Sequence, residues 1–339
     1  MTRTPLVVGA DVGGTSTKVA VADRDGALVG YAVAPGGNIR SSPGSLAEHL
    51  RQALTLAVPA GRRDAVVGGV LGIAGAGPAR ADEVSRIARR AWRDAGLALG
   101  AGPTVGTDLD IAFAAGSDNP DGLLLLSGTG AVACWFTDGR VVDRCDGMGW
   151  ILGDEGSAVW IGTAALRAVA AHLDGRGPAT ALTDLVLTDL VPGRSDGDRR
   201  EDPRQELIRA VDDRAPSWFG EFARTTALAA DAGDEVANRI VAAAADALVR
   251  TANRAAHGRD LTEVILAGAV LTTPGPVGDA VRGQLAEQHR STCTAVRSPV
   301  AGALVLAARA AGWSFDRSAV GAAMLSCTSA RPGKPDPSD

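Results

Sequence analysis

Hydrophobic positions fall into short runs that end at glycines. Leu6-Val7-Val8 leads into Gly9-Ala10-Asp11, then Gly13-Gly14-Thr15-Ser16-Thr17-Lys18, and a second apolar run covers Val19 to Ala22. Two β-rich runs around a short Gly/Thr/Ser segment predict a strand–turn–strand hairpin. Asp25-Gly26 marks a turn and Ala27 to Ala34 a third strand. Helical spacing runs over Leu46 to Ala57 and Ala79 to Ala95, a buried strand over Val66 to Ile73, and a short strand over Pro103 to Thr107. Ile111 to Ala115 opens a helix. Strands first, then alternating helices and strands, predict a mixed α/β domain.

The pattern then restarts. Leu123 to Leu126 reads as a strand, Ser127-Gly128-Thr129-Gly130 as a glycine turn, and Ala131 to Phe136 as a second strand closed by Asp138-Gly139. Gly14-Thr15 and Gly128-Thr129 have similar surroundings, which marks an internal repeat of a structural unit. A long helix is expected over Ser157 to Leu173, and a charged loop over Gly193 to Pro203. Helices follow over Arg204 to Arg214, Trp218 to Ala230 and Glu235 to Arg254. The last segments are a strand over Glu263 to Leu266, a small-residue turn at Ala267 to Val270, a helix over Pro276 to His289, a strand at Thr294 to Arg297 and a helix over Val300 to Ala311. The polar stretch Gly116 to Gly122 divides a first domain (1–117) from a second (118–327), the second carrying a helical insertion. Residues 328–339, rich in Pro, Gly and charge, are expected to form a disordered tail.

A chain of 339 residues suits two domains, and 46% hydrophobic with 22% charged residues is ordinary for a soluble enzyme. The net charge of -5 and the lack of a basic tract argue against nucleic acid as a partner. No signal-peptide core and no membrane-length apolar stretch is present, so no membrane partner is expected. Cys134, Cys145, Cys293 and Cys327 are far apart and form no CxxC pair, which fits reduced thiols in the cytoplasm.

The turns carry the candidate chemistry. Gly13 and Gly14 let backbone N–H groups approach an anion, and Thr15, Ser16 and Thr17 add hydroxyls. Asp11 at the end of the first strand makes sense if Mg²⁺ lies between it and a bound phosphate; an ordinary glycine hairpin is the plain alternative. Lys18, one of two lysines with Lys334, is a phosphate contact or simply a strand residue. Asp11, Gly75 and Asp108 all follow strands, where open α/β sheets bind ligands. Asp108 is a candidate general base; Asp110 is the better placed of the two to cap the next helix. Asp154 and Glu155 precede a helix, where their charge is favourable in itself, and Asp154 is also a candidate acceptor for a hydroxyl. Asn38, in a glycine-rich loop, is either a turn residue or a ligand contact. Trp150 fits core better than ligand stacking.

Together the two hairpins, Asp108, Gly268-Ala269 and Ala301-Gly302-Ala303 resemble the actin/hsp70/sugar-kinase superfamily of ATP-binding folds. Within it, Gly147 to Ser157 (GMGWILGDEGS) is similar to the signature of the N-acetylglucosamine kinase family, which also contains activase-type ATPases. The resemblance spans Val7 to Ala311 and implies two actin-like, ribonuclease H-like ATPase domains flanking a nucleotide and sugar cleft. It implies ATP and Mg²⁺ as cofactors and phosphorylation of the 6-hydroxyl of N-acetylglucosamine, with glucosamine, N-acetylmuramate and glucose as alternatives. A non-catalytic regulator and an activase ATPase remain readings of another class. By resemblance Gly13, Gly14 and Thr15 form the first phosphate motif, Gly128, Thr129 and Gly130 the second, and Gly268 and Ala269 the adenosine motif. Asp108 matches the catalytic carboxylate; Asn38, Asp154, Gly147, Met148 and Gly149 match sugar contacts. Met148 stands where the family often has Trp, and Ala131 where it often has Ser. The resemblance also implies a homodimer through the second domain.

Overall fold

The structure, a computed structural model, describes residues 4–37, 44–190, 202–212 and 214–329. Asn38 and most of the loop expected over Gly193 to Pro203 lie outside them. The chain divides into two compact units. The first takes the described residues up to Pro120, Asp138–Arg140, and those from Val296 onward; the second takes Asp121–Thr137 and Val141–Ala295.

The first unit holds a five-stranded sheet of β1 (Leu6–Val12), β2 (Ser16–Asp23), β3 (Leu28–Pro35), β4 (Val66–Ile73) and β5 (Pro103–Gly106) in the order β3-β2-β1-β4-β5. β1 pairs antiparallel with β2 and parallel with β4. Alternation along β1 splits its side chains between two covered faces. Leu6, Val8, Ala10 and Val12 pack with Leu50 and Leu54 of the helix Leu46–Ala57 and with Trp92 of Ala81–Asp94. Val7 packs on the opposite face with Val300 and Leu304 of the helix Pro299–Ala310 and with Ile111 of Asp108–Gly116. Cover on both sides explains the unbroken apolar runs, and each fully buried Leu or Val contributes about 1.5–3 kcal/mol. By the same alternation Asp11 lies on the face of Val7.

The second unit repeats this sheet order: β10 (Thr292–Val296), β9 (Glu263–Ala267), β6 (Gly122–Ser127), β7 (Ala131–Thr137) and β8 (Arg140–Asp146) run β10-β9-β6-β7-β8. An antiparallel three-strand meander followed by a parallel neighbour is thus built twice, with β6–β7 and β6–β9 matching β1–β2 and β1–β4. Leu123 and Leu125 are buried against the helices Ala158–Leu173, Phe222–Asp231 and Glu235–Ala256.

The division departs from the expected one at the C-terminal end. The helix Pro299–Ala310 packs with the first unit's sheet, and a β-carbon on Gly302 would lie 1.9 Å from the Ile111 carbonyl oxygen. Sequence order assigns that helix to the second domain; its apolar face finds its partner in the first. Thr328 and Ser329, placed in the expected tail, end a helix at Arg317–Ser329, and the rest of that tail lies outside the described residues. β8 goes unforeseen because it is a largely exposed edge strand with charged residues, so no apolar run marks it. Leu182–Leu190 forms a helix on Leu182, Val186 and Leu187. The helix expected over Trp218 to Ala230 breaks into Pro216–Phe219 and Phe222–Asp231, where Trp218 meets Phe219 and Phe222 edge to face.

Candidate active site

In the first unit the β1–β2 turn is three residues, Gly13 to Thr15. The Gly13 N–H donates to the Ser16 carbonyl at 2.9 Å, and the Gly37 N–H donates to the Gly13 carbonyl at 3.0 Å. The start of the next loop therefore lies directly on the turn, and a β-carbon on Gly36 would meet the Gly14 carbonyl oxygen. With the Gly13 N–H engaged inside the turn, the N–H groups of Gly14 and Thr15 are the turn's other backbone donors. Thr15 is exposed, whereas Thr17 is buried and its hydroxyl has no hydrogen-bond partner among the described residues.

Asp11 stands opposite Lys18 in the β1–β2 register. Part of Asp11 touches solvent, but its carboxyl lies deep enough that burial pushes its pKa up to about 6. The Lys18 ammonium pulls the value down and the Asp108 carboxylate pushes it further up. Asp11 and Asp108 are thus electrostatic neighbours. Such a pair of carboxylates suits Mg²⁺, which binds through one or two of them together with substrate phosphates rather than in an all-protein cage. Among the described residues no group of three His, Cys, Asp or Glu side chains forms a metal cluster.

Asp108 is the first residue of its helix, and the cap is Thr107. The Thr107 hydroxyl accepts the Asp110 N–H at 3.2 Å, and the Asp110 carboxylate accepts the Thr107 N–H at 2.8 Å. Asp110 thus completes a capping box rather than capping alone. The Thr–x–x–Asp spacing carries that signal in the sequence.

In the second unit the β6–β7 turn, Gly128 to Gly130, has the same length but a tighter closure: the Gly128 N–H donates to the Gly130 carbonyl, two residues on, at 2.9 Å, where the Gly13 N–H reaches the Ser16 carbonyl three residues on. The Ser127 hydroxyl donates to the Gly156 carbonyl at 2.9 Å, and the Ala158 N–H to the Gly128 carbonyl at 2.8 Å, so the turn is fastened to the start of the helix Ala158–Leu173. Gly268 follows β9 with φ 84°, and a β-carbon there would sit 2.2 Å from the Ser127 carbonyl oxygen. Only glycine meets both demands. Ala269 then opens a short helix, Ala269–Thr272, and lines a cavity of about 320 Å³ together with Ala158 and the Pro274–Pro276 segment.

The segment from Asp146 to Ser157 is organised by Asp146, which sequence reasoning did not single out. Its carboxylate accepts the Asp154 N–H at 2.7 Å and the Glu155 N–H at 2.8 Å. Asp154 takes a left-handed conformation with φ 55°, and a β-carbon on Gly130 would lie 2.9 Å from its Oδ2. The Asp154 carboxylate thus faces the second glycine turn. Gly147 and Gly149 hold positive φ, and Met148, Ile151 and Leu152 are exposed. Trp150 is about half exposed and stacks on Phe219 at 6.3 Å rather than filling core. Glu155 pairs with Arg250 at 3.7 Å.

The structure therefore gathers Asp11, Gly13, Gly14, Thr15, Lys18 and Asp108 in the first unit. It gathers Gly128, Thr129, Gly130, Asp154, Gly268 and Ala269 in the second. Gly147, Met148 and Gly149 lie on the Asp146-braced loop. Among the described residues no helix is long and apolar enough to cross a membrane.

Comparison with known proteins gives the same architecture. The chain is 26% identical over 328 residues to an N-acetyl-D-glucosamine kinase of Dictyostelium discoideum, covering 89% of this chain and 97% of that protein. An 82-residue stretch is 39% identical to an N-acetylmuramic acid/N-acetylglucosamine kinase of Clostridium acetobutylicum, covering 24% of this chain and 26% of that one. A Chromobacterium violaceum protein provisionally assigned as an N-acetylglucosamine kinase superposes with TM-score 0.68 at 24% identity, over 89% of this chain and 99% of that one. A ROK family glucokinase of Streptomyces griseus, solved with glucose and AMPPNP, gives TM-score 0.54 at 16% identity over 94% and 98%. These structural likenesses show that the chain shares the α/β fold of these proteins. Residues 8–307 match the BadF/BadG/BcrA/BcrD ATPase family, and the chain belongs to that family.

Proposed function

We propose that this enzyme is an ATP-dependent sugar kinase that phosphorylates the 6-hydroxyl of an amino sugar, N-acetylglucosamine in the first instance. The observation that carries the reading is the neighbouring of Asp11 and Asp108 on the side of β1 where the Gly13–Thr15 turn begins. The similarity to the Dictyostelium kinase along nearly its whole length supports an amino sugar as acceptor.

Phosphoryl transfer asks the protein mainly for positioning and charge stabilisation. Gly14 and Thr15 on one turn, and Thr129 and Gly130 on the other, donate backbone N–H groups to phosphate oxygens. Lys18 adds a positive charge beside the first turn. Gly268 and Ala269 lead to the adenosine. Asp11 would hold Mg²⁺, which neutralises charge on the β- and γ-phosphates when bound. Asp108 accepts the proton of the 6-hydroxyl as that oxygen attacks the γ-phosphorus. The loop Gly147 to Asp154 contacts the sugar, with Met148 exposed on it. The enzyme is taken to act as a cytoplasmic homodimer.

The test is ATP-coupled phosphorylation of N-acetylglucosamine, glucosamine, N-acetylmuramate and glucose by the wild type and Asp108→Asn. Turnover on one amino sugar, lost in the variant while the sugar still binds, is the expected result. Absence of turnover on all four, with ATP hydrolysis unchanged in the variant, would overturn both the base and the substrate class.

A further inference from the structure

The cavity beside Ala269 has a polarity that bears on which nucleotide the site takes. It measures about 320 Å³, at the lower end of the roughly 300–1,000 Å³ usual for small-molecule sites. It adjoins the second glycine turn by two routes: Ala158, on its wall, donates its N–H to the Gly128 carbonyl, and Ala269, also on its wall, follows Gly268. This space is therefore within reach of the base of a nucleotide whose phosphates would rest on Gly128 to Gly130.

The walls are mostly methyl groups and proline rings. Pro274 and Pro276 have no N–H to offer. The polar side chains lining the cavity are Thr273 and Arg224. Arg224, the third residue of the helix Phe222–Asp231, is exposed, and no carboxylate pairs with it among the described residues. A guanidinium is a donor only, with its N–H groups fixed in a fork. Guanine presents two adjacent acceptors, O6 and N7, which that fork bonds at once. Adenine presents N7 next to an amino donor, which cannot bond a second guanidinium N–H. Among the described residues no carboxylate or amide side chain lines the cavity to favour the adenine edge instead.

We infer that this cavity takes the base of the phosphoryl donor and that Arg224 makes it accept guanine, so that GTP serves as a donor alongside ATP. The inference rests on the kinase reading above for the transfer itself. In that step the sugar 6-oxygen bonds the γ-phosphorus of GTP, the bond from that phosphorus to the β–γ bridging oxygen breaks, GDP leaves, and the hydroxyl proton passes to Asp108.

The experiment measures dissociation constants of ADP and GDP for the full chain by calorimetry, and kcat/KM for ATP and GTP with N-acetylglucosamine. Wild type, Arg224→Met and Arg224→Lys are compared. Met keeps the length and helix propensity of the side chain, and Lys keeps the charge without the fork. GDP is expected to bind within about tenfold of ADP, and both variants to lower the preference for GDP relative to ADP by about fivefold or more, from the value of a bidentate contact to guanine. GDP binding more than tenfold weaker than ADP, or a ratio unmoved by Arg224→Met, overturns the inference. ADP and GDP binding as expected without transfer to any sugar overturns the kinase reading alone. Binding of neither nucleotide overturns both.

Discussion

Asp146 holds Asp154 by its backbone: one carboxylate oxygen accepts the Asp154 N–H at 2.7 Å while the other accepts the Glu155 N–H at 2.8 Å. A side chain at the end of an edge strand thus fixes the approach of a loop that otherwise exposes Met148, Ile151 and Leu152. Asp146→Asn keeps one acceptor and turns an amide donor toward the other N–H. The loss of one charge-assisted bond costs about 1.5–3 kcal/mol locally. Amide hydrogen exchange over residues 147–156 is expected to quicken at least tenfold. KM for the sugar rises more than kcat falls, because the loop is braced and the base is untouched. Unchanged exchange in that loop would refute the brace.

Gly268 carries a second constraint. With φ 84° and the Ser127 carbonyl oxygen 2.2 Å from any β-carbon, Gly268→Ala adds strain of about 1–3 kcal/mol and a backbone clash that moves the Ser127–Gly130 turn. Nucleotide affinity is expected to fall at least tenfold and the melting temperature to drop. A variant that binds ADP as wild type does would show that the turn and Gly268 are not mechanically joined.

Much of this is legible from residues close in sequence. Both glycine hairpins and the strand-end carboxylates stand out because turn glycines and apolar runs are local signals, and the repeat of the hairpin follows from them, whereas the exposed third strand of the second meander does not. Three features resist such reading. Asp146 acts eight residues ahead of its partner across a loop with no periodicity. Arg224 reaches the cavity from a helix more than forty residues away from Ala269 in sequence. The helix Pro299–Ala310 shows its apolar face plainly but not which sheet that face covers. In each case the missing information is a long-range contact, which propensity and spacing do not encode.

Asp108 and Asp110, two residues apart, are expected to fail differently. Asp108 stands outside the capping box, so Asp108→Asn retains the fold and, as the loss of a general base, lowers kcat by about 10²–10⁴-fold. Asp110→Ala removes the acceptor of the Thr107 N–H and hydroxyl, costing about 1 kcal/mol of stability. Urea unfolding set beside turnover separates them. A stability loss in Asp108→Asn as large as in Asp110→Ala would return Asp108 to a structural role.

The Asp11 carboxyl gives the protein a pH signature. Its pKa is raised from 3.8 to about 6 in the folded chain, so the native state holds that proton more tightly than the unfolded state does. Stability from this group is therefore present below about pH 4 and is lost as pH rises through 6, by about 3 kcal/mol at most, with Lys18 offsetting part of the cost of burial. Asp11→Asn imitates the neutral form. Without nucleotide it is expected to match wild type at pH 4 and to exceed it by about 1–3 kcal/mol at pH 8. Its turnover is nonetheless lost, because the proposed Mg²⁺ ligand is gone. Wild-type kcat/KM for ATP falls as pH drops below about 6, when Asp11 takes up its proton. Denaturant unfolding of the two proteins at pH 4 and pH 8 checks the sign directly. A wild type more stable than Asp11→Asn at pH 8 means that Lys18 outweighs the burial of Asp11, and that the carboxylate is held as an ion pair rather than kept ready for a cation.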